Sequence, residues 1–181
     1  MAACVIALVL VAMQLGAGAG AADRAGRERE RVSVLDVVGS PDAGFVVLLR
    51  TEREPYRYLP IIIGRNEALA LSLRLGHLTP DRPLTIHLLD SVLKATRVSV
   101  IEVSINDQQE GAFLGRVRLR ERNGRLFDVD ARPSDLLGLA AGTAVPIFVS
   151  RRVLEAAGFD AHDLARKSTP AGASTSYDES L

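Results

Sequence analysis

The chain has 181 residues, 48% hydrophobic and 24% charged, a globular balance that suits one domain with terminal extensions. Its 22 basic and 22 acidic residues cancel, and only 4% of residues are aromatic, with no Trp. Tight nonspecific grip on long nucleic acid ordinarily needs a positive excess and stacking rings, so this composition argues against it. The single Cys4 excludes an intrachain disulfide and a Cys-based zinc site. All basic residues except Lys94 and Lys167 are Arg, which reflects either codon bias or a use for bidentate phosphate contact.

Ala2 to Ala22 is apolar and small, broken only by Gln14. Val5 to Met13 is long enough for the hydrophobic region of a signal peptide, and Gly16 to Ala22 supplies small residues for cleavage. Met1 to Cys4 carries no Lys or Arg, and Cys4 precedes the apolar run, the wrong place for a lipoprotein cysteine. Residues 1–22 are therefore expected to be a signal peptide or membrane anchor, and the protein to be exported (periplasmic or secreted) or membrane-anchored. A misassigned start codon would make it cytoplasmic instead. Residues 23–31 form a charged linker, and residues 160–181, rich in Ser, Thr, Ala and Gly, a flexible tail.

Between them the patterning predicts one α+β domain over residues 32–159, a mixed β-sheet built from hairpins with helices packed on it. Val32 to Val38 reads as a strand, Gly39 to Gly44 as a turn, Phe45 to Arg50 as the returning strand, and Tyr58 to Ile63 as a third. A helix is predicted from Asn66 to Leu75, with Leu69, Ala70 and Leu73 on its apolar face and Gly76 at its C-terminal end. A second runs from Thr85, as N-cap, to Ala95, with Leu88, Leu89 and Val92 as its apolar face. Val98 to Ile105 alternates as a strand. Pro133 opens a helix that reaches Ala141 and is ended by Gly142. Ala144 to Val149 is a buried-type strand, and Ser150 caps a last helix that stops at Gly158.

Gly115 to Glu121 and Leu126 to Asp130 form a hairpin whose register can be argued. A two-residue Asn-Gly turn would set Leu119 opposite Asp128. A three-residue loop, Arg122-Asn123-Gly124 with Gly124 in the left-handed region, pairs Leu119 with Phe127 and Val117 with Val129. The second register puts the apolar side chains on one face, and pairs Arg118 with Asp128 and Arg116 with Asp130 on the other.

Chemistry concentrates at Asp130-Ala131-Arg132-Pro133-Ser134-Asp135, a strand-to-helix junction. Amides at a helix start attract anions, so a phosphate fits there. Asp130 and Asp135 are candidate ligands of a divalent metal, Mg²⁺ or Mn²⁺, which would polarise a phosphodiester and activate water. Arg132 would neutralise developing phosphorane charge. Glu67, at another strand-to-helix junction, is a candidate fourth catalytic member. Ser134 and Thr85 are candidate substrate contacts, as are Arg116 and Arg118 in the stripe that ends at Arg120. The plainer readings are that Asp135 and Glu67 only complement helix dipoles, that Asp130 pairs with Arg116, and that the arginine stripe is an ion-pair ladder.

Asp130 to Asp135 with Leu136 to Ala140 resembles the signature of the bifunctional nuclease family. So do Leu59-Pro60-Ile61-Ile62-Ile63-Gly64 with Glu67-Ala68, Arg82-Pro83-Leu84-Thr85 with Leu88-Leu89, and the acidic-polar turn Asp107 to Phe113. The family name implies hydrolysis of RNA and DNA, here expected to be metal-assisted with low sequence preference, by a homo-oligomer. The alternative is a non-catalytic binding or regulatory module that retains the fold. One departure stands out. The family commonly has His-Asp between its Thr and Leu-Leu, whereas this chain has Ile86-His87, and one helical residue turns a side chain by about 100°. The family's histidine role therefore does not transfer directly to His87, which also reads as a packed or exposed helix residue.

Overall fold

A computed structural model describes residues 28–40, 44–76 and 80–160. The expected leader, most of the charged linker and nearly all of the tail lie outside the described residues. The elements run β1 Arg29–Ser40, β2 Gly44–Thr51, β3 Tyr58–Ile63, α1 Arg65–Arg74, α2 Thr85–Thr96 and β4 Ser99–Gln109. Then follow β5 Ala112–Arg120, β6 Leu126–Ala131, α3 Pro133–Thr143, β7 Ile147–Ser150 and α4 Arg151–Ala157. This is the α+β order predicted by the sequence patterning.

All seven strands join one sheet in the order β3-β2-β1-β7-β4-β5-β6. It consists of two antiparallel meanders, β1-β2-β3 and β4-β5-β6, joined by β7. That short strand pairs antiparallel with β1 and parallel with β4, which makes the sheet mixed. Ile147 sits beside both Val32 and Val103, so three buried side chains cross the seam between the meanders.

One face of the sheet is continuously apolar. Alternation puts Val47 and Leu49 of β2 beside Ile61 and Leu59 of β3, and Val103 of β4 beside Val117 of β5, all buried. In β1 the register shifts between Val34 and Asp36, which leaves Leu35 unmatched and exposed and brings Val37 opposite Val47. The extra residue corrects an alternation that would otherwise turn Val37 away from the core.

Helix α3 covers this face and is buried from Leu136 through Ala140. It approaches closely because β5 has a glycine beneath it. A Cβ on Gly115 would lie 2.4 Å from Leu136 Cδ1 and 2.8 Å from the Ser104 carbonyl oxygen. Helix α1 packs on α3 through Ala68 and Leu71. The expected face of Leu69, Ala70 and Leu73 is therefore displaced. Leucines at 69, 71, 73 and 75 surround the helix, so their spacing alone does not select a side.

The starts and ends of several helices also differ from expectation. Thr85 is the first residue of α2 and not its cap. Leu84 occupies the N-cap, and its N–H donates to His87 Nδ1 at 3.0 Å. His87 therefore supplies the side-chain half of the cap, three residues into the helix. Gly142 does not end α3, which continues to Thr143 before Ala144 adopts a left-handed φ of 55°. A Cβ at Gly142 would instead meet the Arg74 guanidinium, which pairs with Asp90 and ties α1 to α2. The strand expected from Ala144 begins only at Ile147.

The apolar face expected for α2 is exposed, Leu88 to 62% and Val92 to 48%. Its inward contacts are Ile86, against Gly138 of α3, and Leu93. None of the helices among the described residues is long and apolar enough to cross a membrane.

The Gly115 contact yields a test. Alanine would ordinarily stabilise a strand position held by glycine, but here its Cβ meets a backbone oxygen that cannot turn aside. Gly115→Ala is expected to lower unfolding free energy by about 1–3 kcal/mol in urea denaturation. An unchanged or raised midpoint would contradict the proposed fit of α3.

Candidate active site

The β5–β6 hairpin has the expected register, with Arg118 opposite Asp128, Leu119 opposite Phe127, Val117 opposite Val129 and Arg116 opposite Asp130. Its loop is the three-residue form. Glu121 N–H donates to Arg125 O at 2.9 Å, Gly124 N–H donates back to Glu121 O, and Gly124 has a φ of 88°. Arg118 grips Asp128 with two hydrogen bonds of 2.9 and 3.1 Å. Its Nη1 also lies 3.4 Å from Glu102 Oε1, and Glu102 accepts two bonds from Arg29. Four strands thus carry an ion-pair ladder across the polar face of the sheet. Arg116 and Asp130 are neighbours in register without a direct ion pair.

This register separates the two aspartates expected to share a metal. Asp130 belongs with Asp128 and Arg116 on the polar face, because strand side chains alternate. Beyond Ala131 the chain turns at Arg132 into α3, which lies on the apolar face, and Asp135 travels with the helix. The structure therefore does not bring Asp130 and Asp135 together, nor Arg116 and Arg118 with Arg132.

It does bring together Glu67, Arg132 and Asp135. Arg132 is the N-cap residue of α3, and its Nε and Nη2 donate to Asp135 Oδ2 and Oδ1 at 2.8 and 3.1 Å. Its Nη1 lies 3.1 Å from Glu67 Oε1. Glu67 and Asp135 occupy corresponding first-turn positions of α1 and α3, where a carboxylate complements the helix dipole. Glu67 folds back over its own N-cap. A Cβ on Gly64 would lie 2.3 Å from Glu67 Oε2, so the glycine makes room for that carboxylate. This explains the Gly64 and Glu67 spacing in physical terms.

The hydrogen bonds that Arg132 donates to Asp135, and the nearby charge of Glu67, hold the Arg132 guanidinium more firmly protonated than usual. The cluster carries two negative charges against one positive. Thr85, at the start of α2, and Ser134 share a cleft of 650 Å³ with it. A second cleft of 510 Å³ lies beside β3 and the β4–β5 turn. Glu67, Arg132 and Ser134 line both. Ile62, Gln108 and Phe113, which the sequence placed only within stretches resembling the family, and Asn66 also line these clefts.

Among the described residues no three His, Cys, Asp or Glu side chains gather as a ready-made metal cage. Glu67 and Asp135 nevertheless bracket a cation, the guanidinium. Two carboxylates match what Mg²⁺ commonly takes from a protein when substrate phosphate and water complete its shell.

Residues 47–162 match the bifunctional nuclease domain. The chain belongs to the bifunctional nuclease domain family. It is also similar to two uncharacterized proteins from two strains of Mycobacterium tuberculosis, each 43% identical over 112 residues. Those matches cover 62% of this chain and 66% of each relative, so the chain spans just under two thirds of their length. The matched region contains Glu67, Arg132, Asp135 and both clefts, which gives the cluster a nuclease-like context.

The ladder on the opposite face has a pH signature. The hydrogen bonds from Arg118 hold the Asp128 carboxyl below its usual range. Its folded value is thus depressed, so the pair stabilises above the ordinary aspartate pKa and loses that contribution as pH falls through the folded value. The pair is largely exposed and is expected to contribute only about 0–1 kcal/mol. A double-mutant cycle of Arg118→Ala and Asp128→Ala should give that coupling at neutral pH and less below about pH 4. Coupling that grows on acidification would reject this assignment.

Proposed function

We propose that this domain hydrolyses phosphodiester bonds of RNA and DNA at the Glu67, Arg132 and Asp135 cluster. The observation that carries the reading is one exposed guanidinium held between two first-turn carboxylates, where the starts of α1, α2 and α3 line one cleft. A bound phosphodiester would take the Arg132 guanidinium as its counter-charge. The Ser134 N–H, which lacks an intrahelical acceptor at this helix start, adds a donor beside it.

Transfer of Arg132 to phosphate would release the two carboxylates. Glu67 and Asp135 would then hold Mg²⁺ or Mn²⁺, which supplies Lewis-acid polarisation and an activated water when bound. Arg132 would balance charge that develops on the phosphoryl oxygens. Glu67, folded over Gly64 at the cleft wall, is the candidate proton acceptor for the attacking water. The Thr85 and Ser134 hydroxyls orient the substrate. Low sequence preference follows from recognition centred on phosphate.

A second reading, a nucleic-acid-binding or regulatory module without catalysis, has one observation in its favour. Arg132 already satisfies both carboxylates, so the cluster is stable without substrate.

An assay separates the two. Purified protein is incubated with labelled RNA and single-stranded DNA, with Mg²⁺, Mn²⁺ or EDTA. Glu67→Gln, Arg132→Ala and Asp135→Asn are each expected to lower cleavage by roughly 10²-fold or more while circular dichroism stays unchanged. Asp130→Asn is expected to stay near parental activity. Folded variants that cleave like the parent would reject this site, and absence of cleavage in the parent under every metal would favour the binding module.

A further inference from the structure

The two clefts divided by Arg132 differ in origin but share a chemistry. The first lies between α1 and α2 and presents Leu69, Leu89 and the Asn66 side-chain amide. The second lies beside β3 and presents Phe113 and the Gln108 side-chain amide. Each therefore combines an apolar wall with one carboxamide. Among the described residues, neither carboxamide makes a side-chain hydrogen bond to the protein. Arg132, which lines both clefts, has its side chain 66% exposed.

We propose that these clefts are nucleobase subsites on either side of the scissile phosphate, and that the substrate is consequently single-stranded. This deepens the phosphodiester-hydrolysis reading and rests on it. With the phosphate on Arg132, the nucleosides bonded to its two oxygens extend in opposite directions, one towards each cleft. An apolar wall takes the face of a base, and a carboxamide offers both donor and acceptor to its edge. Because a carboxamide can present either group, every base is accepted, which agrees with low sequence preference. In a duplex both bases would first have to leave their partners and the stack. A single strand needs only to splay them. The scarcity of aromatic residues fits too, since two short subsites need far fewer rings than a long stacking platform.

Binding in EDTA, read by fluorescence, tests this independently of cleavage. The ligand is a short DNA strand with one central 2-aminopurine, offered alone and as a duplex. The single strand is expected to bind at least about tenfold more tightly, with fluorescence rising as the base leaves its neighbours. Gln108→Ala and Asn66→Ala each remove one carboxamide, one in each cleft. Each is expected to weaken single-strand binding about fivefold or more and to leave weak duplex binding unchanged. Equal affinity for strand and duplex, or single-strand binding insensitive to both changes, would overturn the proposal. Cleavage activity with such insensitivity would overturn the subsites alone. Selective single-strand binding without cleavage under any metal would overturn the hydrolytic reading and leave the subsites standing.

Discussion

Leu136 of α3 rests directly over Gly115 of β5, so close that any side chain on that residue would enter the helix or the neighbouring strand. The contact sets the height and direction of α3 over the sheet. Helix α3 can lie there because its middle, Leu136 to Ala140, is apolar on every side. Ala68 and Leu71 then hold α1 against α3, while Ile86 meets Gly138 and brings α2 alongside. Core packing thereby carries three helix starts to one cleft. The charged cluster depends on this arrangement: Glu67 and Asp135 lie on different helices, and a shift of either would separate them from Arg132.

The same constraint divides the polar chemistry between the two faces of the sheet. On the open face, arginines and carboxylates alternate from β1 to β6 and neutralise one another through Glu102 and Asp128. On the helix-covered face, fewer charges meet at a cleft, and one guanidinium serves two carboxylates. The first arrangement lines a cleft of about 590 Å³, and its arginines and carboxylates are mostly paired with one another. The second is concave, exposed at Arg132 and flanked by apolar walls. Zero net charge is compatible with local recognition of one phosphate, although it offers little long-range attraction to a polyanion.

Much of this was legible in the sequence because local rules and tertiary structure agree there. Alternation fixed the inward face of the β5–β6 hairpin, and Gly124 selected its loop. Pro133 and Ser150 marked helix starts. The difficulties arose where packing chose among local options. The leucines at 69, 71, 73 and 75 offer more than one apolar face, and only α3 selects Leu71. Gly142 resembles a helix terminator but stands beside the Arg74 guanidinium. His87, which reads as a packed or exposed helix residue, accepts the N–H of Leu84. At the site, the run from Asp130 to Asp135 suggested one cluster because its members are close in sequence. Strand alternation sends Asp130 to the other face, while Glu67 joins from more than sixty residues away. That contact comes from the packing of α1 on α3, which spacing does not show, although Glu67's own strand-to-helix junction already marked it as a candidate.

The central claim is that nucleic acid meets the helix-start cluster and not the arginine ladder. Amide NMR of ¹⁵N-labelled protein, titrated with a short single-stranded oligonucleotide in EDTA, tests it most directly because the two surfaces lie on opposite faces. The account predicts that the largest shifts fall at Gly64, Glu67, Ser134 and Asp135, with little change at Arg116, Arg118 and Asp128. Shifts concentrated along Arg116, Arg118 and Asp128, with the helix starts unmoved, would contradict it.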